Sequence, residues 1–321
     1  MTNLFEDFND IELIAEELDN DDAGARIMAV INLTDSADPD AIPYLAKAIK
    51  DKDAGVRRQA AIALTGFDGA HTAQALVEAL TDEDSEVKQA AAVSLTELKE
   101  SAAGDAILPY LSSTDEFVLV SCFAGIKELR RADAMGPATA ALTHPSAVVR
   151  SQAVNTIGWL QDSTSLPALR SAASDKDAAV RRAALTALGF SKSEHAEQIL
   201  INGLSDENWQ VREAAAETLV KCGSTHCIQD LEKTLDDEYW QVCLKAVRTL
   251  GKLNAKQAAN KIGDMMQINV PNLRKECAAA LGELAIPETA GFLKPFVDDT
   301  DPDVRKNVRW ALDKIEAMAS S

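Results

Sequence analysis

The feature that most constrains this chain is a phrase that returns every 31 residues. Residues 175–189 read DKDAAVRRAALTALG, and the phrase returns at 51–64 (DKDAGVRRQAAIAL), 82–95 (DEDSEVKQAAAVSL), 206–219 (DENWQVREAAAETL) and 299–312 (DTDPDVRKNVRWAL). Its valine-like landmark is Ala25, Val56, Val87, Val118, Val149, Val180, Val211, Val242, Leu273 and Val304. Ten such copies account for nearly the whole of 321 residues. A chain of this length would ordinarily suggest two domains. An unbroken period instead predicts one repeat array over 1–321, in which each unit buries its apolar face against its neighbours.

Each copy reads as two helices. In the second, residues 178–188 place Val180, Ala183, Ala184, Leu185 and Leu188 on one face of a 3.6-residue period. The first is a shorter apolar run such as TSLPALRSAA at 164–173, with proline near its start, where a missing N–H costs little. Gly158, Gly189, Gly251 and Gly282 follow the second helix and read as its C-caps. Ala60, Ala91, Ala153, Ala184, Ala215 and Ala246 share one position, filled by Cys122 and Cys277 in two other copies. Small residues there let helices approach closely, and a buried free cysteine behaves as a small hydrophobe. The predicted fold is all-α, a right-handed solenoid of ten 31-residue helix pairs. An acidic cap covers about 1–22 and a frayed helical end about 316–321.

The acidic residue six positions before an Arg or Lys recurs as Asp51/Arg57, Asp82/Lys88, Asp175/Arg181, Asp206/Arg212 and Asp299/Arg305. With the period, these residues make the chain resemble HEAT repeats, in particular the short repeats of the phycobilin-lyase-like group, over about 8–318. The resemblance implies that these ten residues form a structural ladder along the turns, bridging successive repeats by charge-assisted hydrogen bonds. The pattern is lost at Ser113/Leu119, Asp237/Cys243 and Ile268/Arg274, and altered at Asn20/Arg26 and His144/Arg150. Some relatives of this kind, the deoxyhypusine hydroxylases, hold iron through His-Glu pairs after the landmark. Here the first of those positions holds Arg58, Gln89, Val120, Ser151, Arg182, Glu213, Leu244, Lys275 and Lys306, with no histidine, so a metal-dependent oxidoreductase is disfavoured.

Charge excludes further classes. The formal net charge is −19, and residues 1–160 carry 12 Lys+Arg against 27 Asp+Glu. Such a surface repels phosphate backbones, so nucleic acid is not an expected partner. No apolar run approaches the roughly 20 residues that span a bilayer. The five cysteines lack a disulfide framework, which points to a reducing, cytoplasmic setting. Cys222, His226 and Cys227, with Cys243 nearby, form a weak zinc-like pattern, but Cys222 falls at a core position and the set reads as packing. No catalytic residue, cofactor or metal site is expected.

The second helices line the concave side in solenoids of this kind, so their outward positions are the candidate surface. In the last four copies these positions hold Trp209, Trp240, Leu244, Arg248, Lys275, Lys306 and Trp310, a basic and aromatic face on an acidic protein. Trp and Arg dominate binding hot spots. Phe117, Leu119 and Val120 form a second apolar spot, where the ladder residue is missing. The expected function is a non-enzymatic scaffold or assembly factor holding another protein, with an acidic surface, in its groove. The alternative implied by the resemblance is a lyase-like accessory role on a bilin-carrying phycobiliprotein.

Overall fold

The computed structural model describes residues 11–191 and 193–319; the first ten residues of the expected acidic cap and the last two of the expected frayed end lie outside it. The described residues form 20 α-helices linked by short 3₁₀ turns, with no strand. They divide into two compact units, Met1–Leu160 and Gln161–Ser321.

Each unit is an all-α solenoid stack. In the first, the landmark helices are Ala23–Asp35, Ala54–Ala63, Ser85–Leu95, Glu116–Leu129 and Ala147–Leu160. In the second they are Ala178–Leu188, Trp209–Thr218, Trp240–Lys252, Pro271–Leu284 and Pro302–Ala319. Within a unit, each landmark helix packs on the next and on the shorter helix that precedes it in its own pair. The landmarks Val56, Val87, Val118, Val149, Val180, Val211, Val242, Leu273 and Val304 are all buried, as are Ala60, Ala91, Cys122, Ala153, Ala184, Ala215, Ala246 and Cys277. Hydroxyls in the seam tie neighbouring helices together: Ser94 donates to the Ala61 carbonyl at 2.8 Å and Thr249 to the Ala216 carbonyl at 2.7 Å. Each bond satisfies a buried polar group that would otherwise cost about 1–3 kcal/mol.

Of the glycines whose spacing suggests C-caps, Gly189 stands at the C-cap of its helix, in a right-handed conformation, whereas Gly158 lies inside its own. The left-handed residues that directly follow landmark helices are Arg130 (φ 50°), Gln161 (φ 51°) and Ala285 (φ 49°), while Gly251 and Gly282 lie inside their helices. Their role is close approach. A Cβ on Gly251 would come within 2.9 Å of the Ala280 Cβ, and one on Gly282 within 2.4 Å of the Trp310 ring.

The ladder connects the pairs, offset by one repeat from the spacing of six. Arg57 donates through Nε and Nη2 to both carboxylate oxygens of Asp82, at 2.7 and 2.9 Å, and through Nη1 to the carbonyl of Asp51. The same fork joins Arg26 to Asp51, Arg181 to Asp206, Arg212 to Asp237 and Arg274 to Asp299. Each rung therefore runs from an arginine to the aspartate 25 residues on. This corrects the reading of where the pattern is lost: Asp237 and Arg274, assigned to failed copies, each hold a complete rung. The copies without an Arg–Asp combination are Lys88 with Ser113, Leu119 with His144, and Cys243 with Ile268. Arg305 donates to the carbonyl of Asp299.

Candidate protein-binding surface

Most landmark helices start on a capping side chain. Asp53, Asp84, Asp115, Asp177 and Asn208 each accept a hydrogen bond from the first turn of the helix they precede. Asp301 does the same for the last helix. Two consecutive copies break the rule. The cap position holds Tyr239 before Trp240–Lys252 and Val270 before Pro271–Leu284, and neither side chain makes a cap bond. A lost cap costs about 1 kcal/mol. The rung that would join these two copies is also missing, because Cys243 and Ile268 stand where Arg and Asp would be. The Cys243 thiol donates instead to the Asp237 carbonyl at 3.2 Å, an acceptor of the kind that Arg Nη1 uses elsewhere.

Where these devices are absent, large apolar side chains face water. Tyr239 is 38% exposed, Trp240 37% and Ile268 41%. Trp209 is half-buried and stacks on Tyr239, with ring centroids 5.4 Å apart and planes at 12°. The Arg212 guanidinium, fixed by its rung to Asp237, lies 5.7 Å from the centre of the Tyr239 ring. The ledge is thus pre-positioned, with Tyr239 held by Trp209 and Arg212 and Trp240 beside it at the helix start. Sequence spacing identifies Trp209 and Trp240, marks Ile268 only as a lost ladder residue and does not single out Tyr239. The signal of Tyr239 and Ile268 was present: each occupies a position where most copies carry a polar capping or ladder residue.

The other outward residues divide into two kinds. Arg248 is bound bidentately by Glu276 at 2.9 and 2.6 Å, Lys275 pairs with Asp303 at 3.4 Å, and Lys245 pairs with Glu217 at 2.7 Å. These cations are matched within the unit, so the face is less basic than its composition suggests. Lys306 is exposed and makes no ion pair among the described residues. Leu244 is half-buried. Trp310 is 41% exposed, but its ring rests on Gly282 and Lys314 lies 5.8 Å above it, so it packs the seam as well as facing out. In the first unit, Leu119 is buried and Phe117 and Val120 are half-buried, so this spot is largely absorbed by packing.

The cysteine cluster is a packed one. Cys227 is fully buried and donates to the Ser224 carbonyl, and burial, with the nearby Glu197 carboxylate, pushes its thiol up to about 11. Burial and Asp237 likewise push Cys243 up to about 11. His226 lies 3.9 Å from Glu197. No group of three metal-ligating residues among the described residues is arranged to hold an ion.

A model of HEAT repeats matches residues 11–96, 135–220 and 197–270. The chain belongs to the HEAT-repeat family. Among solved structures, yeast importin-beta (Kap95p) superposes at a TM-score of 0.67 and 12% identity, over 96% of this chain and 52% of that one. A Kap95p complex with RanGDP gives 0.70 at 12% identity over the same shares, so the HEAT chain spans about half the length of these neighbours. The Escherichia coli protein YibA gives 0.52 at 20% identity, over 89% of this chain and 96% of its own. These likenesses are of fold. A search of curated proteins finds no significant match.

Proposed function

We propose that this HEAT-repeat chain is a non-enzymatic scaffold that holds a partner protein, with the ledge of Trp209, Tyr239, Trp240 and Ile268 as its anchor. One observation carries the reading. Two neighbouring copies forgo both their caps and the rung between them, and expose two aromatic rings and an isoleucine at that place. Departures from otherwise consistent local rules concentrate at functional sites. Aromatic anchors are the residues that dominate binding energy when a partner desolvates them. The engagement of RanGDP by Kap95p, a protein of similar fold, supports a protein ligand over a small molecule.

Leu244, Arg248, Lys275, Lys306 and Trp310 continue the surface along the landmark helices. Because Arg248 and Lys275 are internally paired, they set register at the rim, and an acidic partner surface would engage chiefly Lys306. Five unpaired cysteines support a reducing compartment. The 31-residue period and the Arg–Asp rung support placing these repeats with the phycobilin-lyase-like short form; a bilin carried through purification would move the function to that class.

The test is quantitative affinity capture from the native cell with wild-type chain and with Tyr239→Ala/Trp240→Ala. A scaffold anchored at the ledge loses its captured protein by at least about tenfold while its melting curve stays close to wild type. Equal capture by both proteins would remove the ledge as the anchor.

A further inference from the structure

A second surface, on the first unit, has a different chemistry. Ile31, Ile62 and Val93 occupy one repeat position, 31 residues apart, on the three neighbouring helices Ala23–Asp35, Ala54–Ala63 and Ser85–Leu95. Ile62 is 44% exposed and Val93 61%, Ile31 is half-buried, and Met28, one turn before Ile31, is 54% exposed. Repeat packing does not ask for an aliphatic there: other copies hold Ala124, Asn155, Thr186, Glu217, Arg248 and Ala279, and Trp310 in the last copy is the one other large apolar side chain at the position. The result is a continuous aliphatic row crossing three helices. At interaxial distances of 8–10 Å it is about 20 Å long, the length of an α-helix of about 13 residues.

What would cover it follows from charge. Residues 1–160 carry 27 carboxylates against 12 cations, and the cations are largely committed to internal pairs: Arg26 to Asp51, Arg57 to Asp82, Arg58 to Glu86, Lys50 to Glu78. Asp35, one turn beyond Ile31, and Glu97, in the turn after Val93, are exposed at the end of the row. A second copy of the chain would bring two strongly negative surfaces together, and an anionic lipid surface or a nucleic acid would be repelled equally. We propose that this row docks a cationic amphipathic helix of a partner protein, its aliphatic face on Ile31, Ile62 and Val93 and its Lys or Arg flanks against the surrounding carboxylates. This mode reads as anchors at helical spacing laid across an apolar strip.

The test uses the full chain and fluorescence anisotropy of a labelled synthetic peptide of about 18 residues, built of leucine and lysine in an amphipathic helical pattern. Two control peptides are a scrambled sequence of the same composition and the patterned sequence with glutamate for lysine. The expected result is binding of the patterned lysine peptide alone. Ile62→Ser/Val93→Ser should weaken it at least about tenfold, and Trp240→Ala should leave it unchanged. Both substituted side chains are exposed, so the melting temperature serves as the check on folding. Equal binding of the scrambled peptide, or of the patterned peptide by the double variant, would overturn the proposal. So would a dimer in sedimentation velocity that the double substitution dissociates, since that would make the row a contact between copies. Loss of capture by the Trp240 ledge with retention of peptide binding, or the reverse, separates the two surfaces.

Discussion

At the scale of the residue, the tryptophans of the second unit look alike in sequence and differ in what they touch. Trp310 lies against Gly282, and a Cβ there would sit 2.4 Å from its ring. Trp240 is exposed to a similar degree but stands at an uncapped helix start. The two should separate in experiment. Trp310→Ala leaves the Gly282 notch empty and should cost about 1–2 kcal/mol, read as a fall in the urea midpoint. Gly282→Ala, which forces the ring away, should cost a comparable amount. Trp240→Ala should shift the midpoint by about 0.5 kcal/mol or less. A Trp240 variant as destabilised as Trp310→Ala would make the ledge a packing feature. Outward helical spacing identified both rings, but spacing carries no information about the small residue on the neighbouring helix that receives one of them.

At the scale of the element, the helix pairs were legible because period, landmark and capping aspartate all repeat. The rung was legible in its residues and in its bridging of successive repeats; the spacing did not show that the arginine takes the carbonyl of the aspartate six before it and the carboxylate of the one 25 residues on. Distance along the chain does not show which of two acceptors a long forked side chain will reach. Gly251 and Gly282, unlike the C-cap Gly189, were misread for a related reason: a small residue near a helix end fits a cap and a close approach equally until the next helix is in place. Tyr239 and Ile268 became visible as a site only when missing caps and the missing rung were seen to coincide. Completing that rung tests the trade. Cys243→Arg/Ile268→Asp should raise the melting temperature by a few degrees, since a bidentate, part-buried pair joins two copies that now lack one. It should also weaken partner capture, because Ile268 leaves the ledge. Conversely, Arg57→Ala strands the Asp82 carboxylate. A cost of about 2 kcal/mol in urea unfolding is expected, between the value for an exposed pair and that for a fully buried one. A gain in stability from the completed rung with undiminished capture would show that the missing rung is not a concession to binding.

At the scale of the whole molecule, a charge of −19 and a ladder of buried-edge aspartates respond to acid in opposite ways. Burial works against ionisation of Asp51, Asp82 and Asp206. The hydrogen bonds from Arg26, Arg57 and Arg181, with a backbone N–H two residues on, outweigh it and hold each carboxyl below the ordinary 3.8. A group whose folded value is depressed contributes stability that is fully present above its unfolded value and is lost as pH falls through the folded one. The ladder therefore persists while pH falls from 7 to about 5, as the surplus carboxylates of the first unit begin to protonate and their mutual repulsion eases. Thermal stability should rise slightly over that interval, and rise similarly when salt is added at pH 7, where screening shortens the reach of the same repulsion to about 8 Å. Below about pH 4 the unfolded chain takes up protons that the folded rungs still refuse, and stability should fall as pH drops through the depressed folded values. The measurement is a series of calorimetric melts from pH 7 to pH 3, with wild type beside Arg57→Met/Arg181→Met. The variant should melt lower at pH 7 and converge on wild type at the acid end, because it has fewer rungs to lose. Parallel curves across the whole range would mean that the rungs do not set the acid limit, and that self-repulsion or core packing governs it instead.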